Sequence, residues 1–133
     1  ITFSLLSAPN GCSLDTNTGL LLWRPAVAQS PSTQTVAVIT SDNGIPSLSV
    51  TQNFNVMVNQ PARPQLFIAS MTNGNRGMWI SGDVGPDYLI QTSSNLSSWT
   101  TIWTATPSTM PYWYTTPNNS QIPAQFFRVL LAP

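Results

Sequence analysis

Apolar and polar residues alternate along this chain in short runs, and the period is close to two wherever it can be read. Residues 1–6, ITFSLL, set Ile1, Phe3 and Leu5 against Thr2, Ser4 and Leu6, the pattern of a half-buried strand already under way at the first residue. A turn at Pro9-Asn10-Gly11, a short strand at 12–14, a second turn at Asn17-Thr18-Gly19 and a strand at 20–24 follow. The two longest runs are residues 34–40 (QTVAVIT) and 50–58 (VTQNFNVMV). Val36, Val38 and Thr40 share one face of the first, and Val50, Gln52, Phe54, Val56 and Val58 one face of the second. The pattern stops at residues 59–65, NQPARPQ, where two prolines remove backbone donors and favour an extended linker. Beyond it, strands are expected at 66–69, 78–81, 88–92, 99–105, 112–115 and 126–131. With helix signals nearly absent and Asn-Gly steps at 10–11, 43–44 and 73–74, this spacing predicts an all-β sandwich architecture. Four of the five tryptophans follow the linker, which favours two modules, 1–60 and 61–133, over one.

Composition changes the picture mainly through what is missing. Only 6% of residues are charged: Arg24, Arg63, Arg76, Arg128, Asp15, Asp42, Asp83 and Asp87, with no Lys, Glu or His. About 25% is ordinary for a globular domain, so solubility here rests on Ser, Thr, Asn and Gln. A neutral surface rich in hydroxyls and amides has little self-repulsion, which favours association with other protein surfaces or with neutral sugars. Nucleic acid and anionic membrane surfaces are disfavoured as partners, because neither is held without a basic patch. No apolar run approaches the ~20 residues needed to span a bilayer as a helix. The single cysteine, Cys12, excludes an internal disulfide; a small buried thiol is expected, with pairing to another chain as the lesser alternative. The absence of an initiator Met and of a targeting segment leads to the expectation of a processed or excised piece of a longer protein.

Two stretches carry a family resemblance. Residues 3–25 (FSLLSAPNGCSLDTNTGLLLWRP) and 39–58 (ITSDNGIPSLSVTQNFNVMV) together resemble the cadherin-like, dystroglycan-type immunoglobulin modules of large bacterial surface proteins. The resemblance implies an immunoglobulin-like sandwich for nearly all of 1–60. It also implies that the strand beginning ITFSLL is the third of its module, so that two N-terminal strands, about 25 residues, are lacking. Such a sandwich exposes part of its core and an unpaired edge, so either the chain was cut from a longer one or a neighbour donates a strand. Asp42 stands where true cadherins can ligate Ca²⁺, yet the acidic motifs that would complete six to eight oxygen ligands are missing, and Asp42 and Asn43 are expected to form a turn. Residues 87–102 (DYLIQTSSNLSSWTTI) and 125–131 (QFFRVLL) resemble the fibronectin type III-like carboxy-terminal modules of secreted bacterial proteins, which implies a second sandwich over 61–133 and no catalytic residues.

Candidate chemistry is sparse. General acid-base work needs a titratable pair held in a cleft, and four Asp without Glu or His leave few ways to make one. Asp83 and Asp87 flank Gly85-Pro86 and read as solvated turn residues. A serine nucleophile has no visible base, zinc lacks His and Cys ligands, and Gly74, Gly77, Gly82 and Gly85 sit at turn spacing without the helix of a phosphate loop. No catalytic residue, metal or cofactor is therefore expected. Aromatic residues are the one concentrated feature. Trp99 and Trp103, four apart in one expected strand, are expected on one face, and Tyr112 and Tyr114 on a face opposite Trp113. The resemblance makes Trp99 a core residue. Trp79, Trp103, Tyr112, Trp113 and Tyr114 are then candidates for core packing, for self-association or for stacking on sugar rings, with Trp103 and Trp113 the foremost platform residues. Asn95-Leu96-Ser97 and Asn118-Asn119-Ser120 match the glycosylation sequon and read as polar turns.

The expectation is a non-catalytic extracellular or cell-surface protein acting by association, as a subunit of a filament or surface layer completed by strand addition. Ile1, Phe3, Leu5, Val36, Val38, Phe54, Val56 and Val58 would line the receiving groove or edge. The rival expectation is a carbohydrate-binding accessory module of a larger secreted enzyme.

Overall fold

The computed structural model describes residues 1–72, 75–117 and 124–133. Among them lie eleven strands, one 3₁₀ turn and no α-helix: β1 Thr2–Ser7, β2 Ser13–Leu14, β3 Leu21–Leu22, the 3₁₀ turn Val27–Gln29, β4 Ser32–Ser41, β5 Ser49–Val58, β6 Gln65–Ser70, β7 Arg76–Ser81, β8 Tyr88–Ser93, β9 Thr100–Ala105, β10 Tyr112–Thr116 and β11 Phe126–Leu131. Every expected strand is present. The chain divides into two compact units, Ile1–Gln60 and Pro61–Pro133, parting within the proline-containing segment.

In the first unit β1, β4 and β5 form an antiparallel sheet in the order β1-β4-β5, and β2 and β3 form a separate two-stranded ribbon. Register places Phe3, Thr40 and Val50 in one row, Leu5, Val38 and Gln52 in the next, and Val36 opposite Phe54. Residues directly opposite share a face, so these rows define the apolar face of the sheet. The turn after β2 closes on this face. Asp15 accepts backbone N–H bonds from Asn17 and Thr18 at 2.8 and 3.0 Å, the Phe3 N–H donates to the Thr16 carbonyl, and the Phe3 ring lies over Gly19. Gly19 has a φ of 74°, which suits glycine, and a Cβ there would press on the ring at 3.1 Å. Another anchor is the Asn10 carbonyl, which accepts from both the Trp23 indole and the Gln29 amide at 3.1 Å. The unit's buried apolar set is small: Val36, Ala37 and Val58, of which only Val36 is wholly enclosed.

The second unit has two antiparallel three-stranded sheets, β10-β7-β6 and β11-β8-β9. Met78 and Ile80 of β7 and Tyr88 and Ile90 of β8 are fully buried, and Leu66, Ile102, Trp103, Tyr112, Tyr114, Phe127 and Val129 pack against them. The Tyr88 hydroxyl donates to the Asp83 carbonyl at 2.7 Å, and burial pushes its phenol above the ordinary value of 10.0. Asp83 also holds the incoming chain, accepting from the Ala62 N–H at 2.7 Å through its carboxylate. Asp87 receives the Thr106 hydroxyl. The two aspartates thus serve separate structural contacts.

Candidate functional site

Alternation along the strands of the second unit sorts the aromatic residues into two sets. Tyr112 is paired with Ile80, and Tyr114 with Met78, so both tyrosines face the core. There the Trp103 ring stacks on Tyr112, with centroids 5.1 Å apart and planes at 24°, and lies tilted against Tyr114 at 5.6 Å. Trp103, Tyr112 and Tyr114 are therefore packing residues. Trp79 and Trp113 fall on the opposite, outer face of the same sheet, paired directly with one another. Phe67 is paired with Trp79 from the other side, so Phe67, Trp79 and Trp113 form one row across all three strands.

Exposure along the row is 58% for Phe67 and 45% for Trp79, with Trp113 half-buried. The Trp79 and Trp113 centroids are 4.7 Å apart and their planes are inclined at 52°. Trp113 lies down on its neighbouring strand because that strand carries no side chain beneath it: a Cβ on Gly77 would fall inside Cη2 and Cζ2 of the indole. Flanking positions on this face are Gln65 paired with Ser81, and Thr115 paired with Gly77. None of them is charged. Phe67 could have been found from the alternation of Leu66, Phe67 and Ile68, but its membership of the row depends on the β6-β7 register, which a single strand does not reveal.

Trp99 and Trp103 do not share a face. A bulge in β9 sets Trp103 opposite Ile90 and Thr101 opposite Gln91, leaving Ile102 as the extra residue. One inserted residue reverses the alternation, so Trp103 turns into the core and Trp99 stays on the outer side. There the Arg128 guanidinium sits 4.1 Å from the centre of the Trp99 ring, and Arg128 donates to Gln91 Oε1 at 2.8 Å. Trp99 is half-buried under that cation rather than enclosed in the sandwich.

In the first unit the residues expected at an edge or groove fall into three environments. Val36 and Val58 are already buried, Phe3, Leu5, Val38 and Val56 are half-buried, and Ile1 and Phe54 are exposed. Val50, on the same face as Phe54, is 66% exposed. Cover over the apolar face therefore falls away from β4 toward the amino-terminal half of β5. Residues 49–55 of β5 are exposed on both faces, and in the sheet order β5 has a hydrogen-bonded neighbour on one side only among the described residues.

The remaining polar candidates are structural in their contacts. Asp42 Oδ1 accepts the N–H groups of Leu48 and Gly44 at 2.8 and 3.0 Å, closing the turn between β4 and β5, and these bonds hold its carboxyl below its ordinary value. Asn95 Oδ1 accepts from the N–H groups of Ser97 and Ser98, so this sequon sits in a tight turn with Leu96 at a φ of 62°. The sequon at Asn118 and the Asn73-Gly74 step lie outside the described residues. Cys12 is half-buried and unpaired. Among the described residues no three of His, Cys, Asp or Glu gather as a metal site would require, and no helix is long and apolar enough to cross a membrane. In comparisons with known proteins, no family model, no curated protein and no solved structure matches this chain.

Proposed function

We propose that this protein is a non-catalytic structural or adhesive component of an extracellular surface, and that an extended segment of a neighbouring copy adds to β5 as a further strand. The observation that carries this reading is the state of β5. It is ten residues long, exposed on both faces over 49–55, and bears Val50, Phe54 and Met57 at 66%, 40% and 74% exposure. A long edge strand with free backbone groups and exposed apolar side chains is a template for pairing, and β5 carries no charged residue to oppose it. Main-chain bonds along that edge would supply affinity, and side chains beside Val50 and Phe54 would set the register.

Strand order supports an immunoglobulin-like assignment of the units within this reading. The order β1-β4-β5 is that of a C-F-G sheet, with β2 and β3 as D and E; β6-β7-β10 and β9-β8-β11 correspond to A-B-E and C′-C-F. In that assignment the places of strands A and B lie beside β3, so the proposed addition rests on the open edge of β5 itself.

Sedimentation equilibrium over roughly a thousandfold range of concentration tests the proposal. Reversible association is expected, and Val50→Lys with Gln52→Lys should abolish it while leaving the strand content by circular dichroism unchanged. A monodisperse monomer throughout that range would overturn it.

A further inference from the structure

We propose that the outer face of the β10-β7-β6 sheet binds a single chain of a neutral polysaccharide, which crosses the strands along the row Phe67–Trp79–Trp113. Three observations converge on this ligand. First, the three residues stand in register across the whole width of the sheet, on strands about 4.8 Å apart, and the Trp79 and Trp113 ring centroids are 4.7 Å apart. A row of that kind offers successive apolar faces to the C–H faces of consecutive pyranose rings. Second, the flanking groups are neutral hydrogen-bonding side chains, Gln65, Ser81 and Thr115, and no charged side chain stands on this face of the sheet. That complements a polyhydroxylated, uncharged partner and offers nothing to an acidic or basic one. Third, the apolar patch is narrow: Phe67 and Trp79 are 58% and 45% exposed, Trp113 is half-buried, and the positions flanking the row are polar or small, which suits one extended chain.

The tilt between rings narrows the ligand further. Planes inclined at 52° cannot both lie on one flat surface, so a crystalline polysaccharide face would meet Trp79 or Trp113 but not both. A separate chain that can twist from one residue to the next satisfies both rings. Gly77 is part of the device, because only a strand without a side chain there lets Trp113 lie flat and keep its upper face free.

Native affinity electrophoresis of the full chain in gels containing soluble mixed-linkage β-glucan, xylan or galactomannan tests the site. Retardation is expected with at least one of the three, at least tenfold weaker for Trp79→Ala and for Phe67→Ala/Trp113→Ala, and insensitive to added sodium chloride. Val50→Lys with Gln52→Lys should leave it unchanged, which separates this site from the proposed strand addition at β5. Phe67→Ser, at the most exposed ring, serves as a variant that keeps the fold and should weaken retardation severalfold. Migration unaffected by all three polysaccharides would overturn the proposal, as would retention that survives the Phe67→Ala/Trp79→Ala double variant. Loss of self-association instead of sugar binding in these variants would also overturn it, by making the row an interface between copies.

Discussion

Asp42 illustrates how much one short side chain organises in a chain with so few charges. Its carboxylate accepts two backbone N–H bonds and stands at the turn that aligns β4 with β5. Those bonds favour the charged form, so the carboxyl titrates below its ordinary value of 3.8; Asp15, with its N–H bonds from Thr18 and Asn17, is shifted the same way. A group whose folded pKa is depressed adds stability that is present above the unfolded value and is lost as pH falls through the folded one. The first unit should therefore lose stability on acidification below about pH 4, with little change from there to neutrality. Differential scanning calorimetry between about pH 2 and pH 7 reads this as a fall of the first unit's transition, whereas fluorescence would be dominated by the four tryptophans of the second unit. Asp42→Asn, which keeps an acceptor oxygen but cannot titrate, should flatten the acid limb; an unchanged limb in the double variant Asp15→Asn/Asp42→Asn would exclude these two carboxylates as its source.

At the scale of elements, the bulge in β9 decides which tryptophan holds the second unit together. Trp103 is stacked on Tyr112 in the core, whereas Trp99 covers the outer face beneath Arg128. Trp103→Ala should cost about 3–5 kcal/mol, the range for removing a large aromatic side chain from a core. Trp99→Ala should cost less, about 1–2 kcal/mol, from the cation-π contact and the indole N–H bond to the Leu96 carbonyl. Chemical denaturation of the two variants gives the comparison, and equal losses would contradict the assignment of faces. The same element marks the limit of what could be read beforehand. Strand positions were legible because alternation is local: QTVAVIT and VTQNFNVMV became β4 and β5 almost as written. The opposition of Trp113 to Tyr112 and Tyr114 was legible for the same reason. The pairing of Trp99 with Trp103 failed because a bulge inserts one residue without a mark in the composition. Phe67 was missed because its neighbours in the row are set by the register between strands far apart in sequence.

At the scale of the whole chain, the two units differ in how completely each encloses its own apolar surface. The second buries a four-residue centre with a ring of partly buried neighbours, whereas the first buries only Val36, Ala37 and Val58 and leaves much of β5 uncovered. A unit stabilised by partner binding is more stable the more partner is present, since binding to the folded state alone adds RT ln(1 + [L]/Kd). If neighbouring copies supply the strand along β5, the melting temperature of the first unit must rise with protein concentration, while that of the second stays fixed. Near-neutral composition sharpens the expectation, because association between surfaces without fixed charge is little affected by salt screening. Differential scanning calorimetry over a hundredfold range of concentration should therefore resolve one transition that moves upward and one that does not, and added salt should leave the moving transition largely in place. With Val50→Lys and Gln52→Lys both transitions should become independent of concentration, whereas continued movement of the first would locate the association elsewhere than β5.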